Sequence, residues 1–400
     1  MELYAHHPYW LIKDGIVNSY TSLDGSISTD IAIIGAGISG ALAAYALRND
    51  GLSITVLDRR HPGMGSTAAS TAFLQYEIDT PLTKLREYVG EANAVKSYRL
   101  CRDAIYELAA ICKKLHPAFD FHIRPSLHYA SFKSHKKDLY REYQLRRANG
   151  FDVNWLEAED IQHMFGFDAP AAILSADGGE LDAYLLTHAL LKVVERRGHR
   201  IFSNTNIRDI AHKKRRITLT TDSGLVISAK KLIIAGGYES LKYIPRKIAD
   251  VHSTYALVSE AIPEKYLWHR NSLVWETANP YMYFRIVNKD RILLGGKDDD
   301  FHHSRIPDVR IKAKTSMLLH SFSQKMKRIP IKADFSWAGA FAVTKDGLPY
   351  IGAIRERPNT YFALGYGGNG ITFSAIAAQI IRDAILNKKN PNTGLFGFNR

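Results

Sequence analysis

Three glycines and one aspartate are the residues whose types and spacing most plainly suit a chemical task. Gly35, Gly37 and Gly40 fall in the pattern G-x-G-x-x-G, and Asp58 stands about 20 residues further on. The first glycine of such a pattern lets a strand turn tightly. The second lets backbone approach a pyrophosphate, and the third lets the following helix pack close to the strand. A helix N-terminus then offers unpaired N–H groups and a positive dipole end to phosphates. A carboxylate at 58 can accept hydrogen bonds from a ribose diol and would repel a 2′-phosphate. The glycine pattern alone is weak, so its meaning rests on the elements around it. These are in place. Residues 30–34 (DIAII) are a short apolar run of the kind found in buried parallel strands, 38–48 read as a helix that Gly51 ends, and 53–57 are a second apolar strand closed by Asp58. The assembly predicts a dinucleotide-binding βαβ unit.

A second glycine-rich group lies near the other end of the chain. Residues 360–364 read as a strand, 365–370 (GYGGNG) as a turn and 371–386 as an apolar helix. The chain ends without the second strand and acid that a full dinucleotide unit needs. This helix tip must therefore serve a ligand already held elsewhere, and the natural candidate is the far end of the dinucleotide. Two smaller features join it. Arg59, Ser66 and Thr67 follow Asp58, and the two hydroxyl residues suit a helix cap facing a phosphate or ring. The apolar strand 231–235 stops at Ala235, Gly236 and Gly237, where backbone can approach a ligand.

The rest of the chain must position these groups. The 400 residues suggest two or three cores, and 46% hydrophobic with 23% charged residues is a globular composition. No apolar run is long enough for a membrane span, and the first residues lack a secretory pattern. Cys101 and Cys112 share a helical face and form no metal motif, so both read as reduced core residues of a cytoplasmic protein, with no metal expected. The net charge of +13 lies partly in clusters at 133–137, 141–147 and 212–216. No aromatics interleave with them as a nucleic-acid stacking platform requires, so nucleic acid is not an expected partner. Residues 81–118 read as long helices, 181–197 as a helix with one apolar face, and 201–207, 216–221 and 224–228 as strands. Residues 251–334 are β-rich and read as an antiparallel sheet, hence a second domain. Residues 1–29 read as an aromatic-rich lead-in, extended on the surface.

The βαβ unit with Asp58, the segment TKDGLPYIG (344–352) and YFALGYGGNGITFSAIAAQII (361–381) together resemble the D-amino acid oxidase family of FAD-dependent oxidoreductases. That resemblance implies an α/β fold, with a discontinuous Rossmann-like FAD-binding domain (30–80, 155–240 and 337–400) and an inserted antiparallel β-sheet substrate domain (81–154 and 241–336). It implies that Gly35, Gly37, Ile38, Ser39 and Gly40 hold the pyrophosphate, Asp58 and Arg59 lie at the adenosine ribose, and Ser66 and Thr67 lie by the pyrophosphate or flavin. Ile207 would read the adenine edge, Ala235 and Gly236 would flank the FAD, and Gly367, Gly368, Asn369, Gly370, Ile371 and Thr372 would meet the pyrimidine side of the flavin. A helix tip there would stabilise the negative charge of the reduced ring.

Two departures bear on the substrate. Members that oxidise simple α-amino acids carry an Arg in W-x-G-x-R-P, where it pairs with the substrate carboxylate. Here the segment reads Trp337, Ala338, Gly339, Ala340, Phe341. Losing such a partner costs roughly 2–5 kcal/mol of recognition. The expected substrate is a larger amine, or an acid anchored elsewhere. Arg285, which alternates with Tyr281 and Tyr283 on one strand face, is the candidate replacement, with Tyr283 and Arg285 as candidate catalytic residues. Phe341 and Tyr255 are candidate pocket residues, and His252 is a further residue that could face the flavin. The second departure is that neither cysteine lies where relatives attach flavin covalently, so non-covalent FAD is expected. The expected reaction is oxidation of a C–N bond of an amine or amino-acid-like substrate, with oxygen or another electron acceptor. The alternatives are a flavin-binding assembly protein, a flavoenzyme acting on modified RNA, and an NAD-dependent dehydrogenase.

Overall fold

A computed structural model of the protein describes residues 3–115, 121–213, 215–300 and 308–400. Its central strand is Ile27–Ile34, whose apolar half pairs in parallel with Ile54–Leu57 on one side and Val226–Ile234 on the other. The register sets Ile34 beside both Leu57 and Ile234, so the strand ends align and open one crevice. Thr360–Leu364 adds in parallel beyond Val226–Ile234, and Arg200–Phe202 beyond Ile54–Leu57. Ile207–His212 and Ile217–Thr221 form an antiparallel meander onto Val226–Ile234, with Lys213, Arg215 and Arg216 in the connection between the first two.

The helix Ile38–Leu47 is buried at nearly every position. A helix apolar all round needs cover on more than one side. It packs against both Gly370–Ile385 and Ala183–Arg196, which gives the terminal helix its place.

A second sheet carries the other strands in the order Tyr4–Ala5, Ala333–Val343, Asp250–Ser259, Arg291–Asp300, Met282–Val287, Leu273–Glu276, His122–Tyr129, Ala171–Glu180 and Phe73–Leu74, with Val153–Glu157 also paired to Ala171–Glu180. It is mixed rather than wholly antiparallel, because Leu273–Glu276 runs parallel to His122–Tyr129. The helix Asp308–Lys325 covers one face, where Ile311, Leu318 and Phe322 pack with Tyr255, Leu257 and Phe284. The other face turns toward the crevice.

The lead-in differs from the expectation of surface chain. Tyr4–Ala5 pairs with the edge of Ala333–Val343, and the helix Tyr9–Asp14 buries Tyr9 and Trp10. The apolar aromatic surface of these residues explains the burial, and the Trp10 indole N–H donates to the Ser70 carbonyl at 2.7 Å. Sheet membership also sorts three strands differently from the segments read in the sequence. Val153–Glu157, Ala171–Glu180 and Ala333–Val343 all pair in the larger sheet.

Candidate active site

A cavity of about 770 Å³ runs between the two sheets, within the ~300–1,000 Å³ range of ligand clefts. Its first wall is the glycine turn. Gly35 has φ +104°, and a Cβ there would stand 2.4 Å from the Ala235 carbonyl oxygen. A Cβ on Gly40 would fall 1.9 Å from the Gly35 carbonyl oxygen, so the third glycine serves helix packing and does not line the cavity. The Gly37 N-cap has no side chain to satisfy the helix. Thr67 Oγ1 accepts from the Ile38 N–H at 3.0 Å instead.

Asp58 is fixed by two backbone donors, Ala36 N–H at 2.7 Å and Arg60 N–H at 2.8 Å. Burial pushes its pKa up, and these two bonds oppose the shift. At the same end, Arg60 makes a bidentate pair with Glu239 at 3.1 Å, and Arg59 pairs with the same carboxylate. Ile207, Ala235 and Gly236 line this part of the cavity.

The terminal unit reaches the same crevice. Gly367, Gly368, Asn369, Gly370, Ile371 and Thr372 all line the cavity with Gly35, Gly37, Ile38, Ser39, Ser66 and Thr67. The hydroxyls of Ser39 and Ser374, from the two helices, meet at 2.7 Å. Both ends of the chain therefore converge on one cleft.

On the larger sheet, Tyr283 and Phe341 line the cavity and Tyr255 and Arg285 do not. Tyr283 is held by an O–H bond with Thr71 at 3.1 Å and lies over Gly295, where a Cβ would come within 2.3 Å of its ring and hydroxyl. Burial pushes its phenol up. The Tyr255 expectation fails on strand parity. Thr254 and Ala256 face the cleft, so the residue between them points to the covering helix, where Lys314 lies 5.2 Å above its ring. His252, of the same parity class as Thr254, is also absent from the lining. Arg285 shares a strand face with Tyr283 but sits further along it, 2% exposed. It donates to the Thr71 carbonyl at 2.8 and 3.1 Å and pairs with Glu180 at 3.2 Å. Its guanidinium supports the cavity wall from behind.

Several lining residues carried no motif. They include Thr71, Gln75, Asp79, His128, Ser240 and Trp275. His128 stacks on Trp275 at 3.6 Å, and burial holds its imidazole well below the usual range. Asp79 stands against the Gly367–Gly368 turn, where its Oδ2 accepts from the Gly368 N–H at 2.7 Å.

The family model for FAD dependent oxidoreductases, abbreviated DAO, matches residues 30–384. The chain belongs to this DAO family. It is 24% identical over 379 residues to a glycine oxidase of Geobacillus kaustophilus, covering 90% of this chain and 93% of that one. It is 22% identical over 381 residues to the gamma-glutamylputrescine oxidoreductase of Escherichia coli K12, covering 92% and 85%. The crystal structure of the Geobacillus kaustophilus glycine oxidase superposes with a TM-score of 0.78 at 20% identity, over 93% of this chain and 99% of that one. The protein is an FAD-dependent oxidoreductase of this family, with a Rossmann-like FAD-binding unit and a mixed-sheet substrate unit.

The cavity of this DAO-family chain fits FAD on its own chemistry. Ser66 Oγ and Ser240 Oγ are buried atoms of lining residues without a partner among the described residues, as groups awaiting a polar ligand are. Gly37 carries no side chain and its turn lines the cavity, so a phosphate can approach backbone there. Among the described residues, no helix is long and apolar enough to cross a membrane.

Proposed function

We propose that this enzyme oxidises a C–N bond of an amine or amino-acid-like substrate, using non-covalently bound FAD. The flavin supplies two-electron acceptance, and the resulting imine is released to water. The observation that carries the reading is the joining of two walls in one cavity: the Asn369–Thr372 tip, and the face bearing Tyr283 and Phe341. In this reading Gly35, Gly37, Ile38, Ser39, Ser66 and Thr67 hold the pyrophosphate, and Gly40 sets the helix close to the turn. Asp58 holds the adenosine ribose beside Arg59, Ile207 meets the adenine, and Ala235 and Gly236 flank the cofactor. Gly367 to Thr372 meet the redox ring, where N–H groups at a helix tip favour developing negative charge.

Tyr283 orients the substrate with its hydroxyl, and Phe341 closes the pocket on apolar carbon. Arg285 acts as a positioning residue through Thr71. Non-covalent binding is supported by the cysteines. Cys112 and Cys101 are buried and form no disulfide, neither lines the cavity, and burial pushes both thiols up, which keeps them protonated and unreactive. The test is direct. Purified protein should be yellow, and one of a panel of amines should bleach it without oxygen. A colourless protein that takes up no added FAD would overturn the proposal.

A further inference from the structure

The cleft wall at the Gly367–Gly368 turn is built to admit a carboxylate. A Cβ on Gly368 would stand 2.6 Å from Asp79 Oδ1, and one on Gly367 would stand 2.9 Å from Oδ2. Among the described residues, the Gly368 N–H is the hydrogen-bond donor that Asp79 receives, and it bonds Oδ2. Beside it stands a second open acceptor. Asn369 is 3% exposed and lines the cavity, and its Nδ2 donates to the Gln75 and Glu77 carbonyls at 2.8 and 3.0 Å. That orientation leaves Asn369 Oδ1 buried with no partner among the described residues.

Two open acceptors, one of them anionic, call for a ligand that brings N–H donors and positive charge. An alkylammonium brings three such donors. The aromatic wall agrees with this. Tyr281 and Tyr283 line the same cavity, near enough for the Asp79 charge to add to the effect of burial on both phenols, and aromatic faces attract cations. The Arg and Lys side chains among the described lining residues are Arg59, Arg60 and Lys242. The first two pair with Glu239, and Lys242 belongs to the same short segment as that glutamate, Gly237–Tyr243. A substrate carboxylate at Phe341 would thus meet a phenyl ring, and the Arg and Lys residues of the described lining all belong to the Glu239 end of the cavity. The Asp79 carboxylate is half-buried with a single N–H partner among the described residues, and a cation bound beside it would favour its ionised form.

Resting on the C–N oxidation reading, we propose that Asp79 and Asn369 anchor the ammonium nitrogen of the substrate, with Asp79 taking one of its protons before the neighbouring C–H bond is broken, so that the enzyme selects cationic amines lacking a carboxylate beside the reacting carbon. The test compares n-butylamine with butyrate and glycine on the FAD-loaded protein, read by perturbation of the flavin spectrum without oxygen and by melting temperature. Butylamine should bind at least tenfold more tightly than either acid. D79N should weaken butylamine at least tenfold and D79E should keep the preference for the amine, each measured at saturating FAD. Equal binding of butyrate or glycine by the unmodified protein would overturn the proposal without any variant, and so would unchanged amine binding in D79N. The broader reading fails differently, with a protein that stays colourless in added FAD.

Discussion

Replacing Arg285 with methionine separates a wall-supporting role from a substrate-binding one. The guanidinium makes two bonds to the Thr71 carbonyl, one to the Ile286 carbonyl and an ion pair with Glu180, and it is 2% exposed. Breaking a buried pair by removing one partner costs about 3–5 kcal/mol, chiefly through the charge left behind. Glu180 keeps Arg124 at 2.8 Å, which places the cost near the lower end, about 3 kcal/mol. Domains of 150–250 residues lose about 2–4 °C per kcal/mol, and a chain of this length about half that, so R285M should melt roughly 3–6 °C lower. The Thr71 hydroxyl holds Tyr283, so the wall loosens and kcat/KM should fall by less than about tenfold, or 1.4 kcal/mol. Differential scanning fluorimetry and steady-state kinetics give both numbers. A melting temperature within 1 °C of the parent, together with a KM raised more than about 30-fold for an acidic substrate, would refute the placement.

Four further outcomes are expected. G40A should weaken FAD binding at least tenfold and destabilise the chain by about 1–3 kcal/mol, because the new methyl falls on the Gly35 carbonyl; FAD titration and thermal melts report it. F341R should improve the binding of α-amino acids relative to amines by roughly 2–5 kcal/mol, measured as a ratio of dissociation constants. Asp14 is pushed up to about 7, by burial first and then by Asp182, so its contribution to stability is present at low pH and is lost as pH rises from about 4 towards about 7. Asp298, pushed up to about 6 by burial first, acts in the same direction; D14N should therefore flatten much, not all, of the fall in melting temperature between pH 5 and pH 8. C101S should release its flavin on acid precipitation as completely as the parent does, with the supernatant absorbance as the measure.

What was legible in the chain was set by local rules. The glycines at 35, 37 and 40 and the turn at 365–370 announce themselves because backbone approach excludes other residues. What escaped depended on partners distant in sequence. Ala171–Glu180 holds Ser175, Asp177 and two glycines and does not read as a strand, yet Gly178 is there because a Cβ would come within 2.7 Å of the Arg124 carbonyl oxygen. Tyr255 was separated from the cleft by one step of strand parity, which an apolar pattern with buried residues on both faces cannot reveal. Arg285 shares a strand face with Tyr283, but its distance along the strand puts it beside Glu180, 105 residues earlier. Asp79 lies in no motif, and only the fold brings it to Gly368.

The closure between Ser39 and Ser374 has a consequence for biosynthesis. Ribosomes deliver the helix Ile38–Leu47 well before Gly370–Ile385, which covers it. Between these two points an apolar rod is left half wrapped, and aggregation competes with folding. Shortened chains ending before residue 370 should therefore accumulate as inclusion bodies or chaperone clients rather than as a soluble half that binds nucleotide weakly.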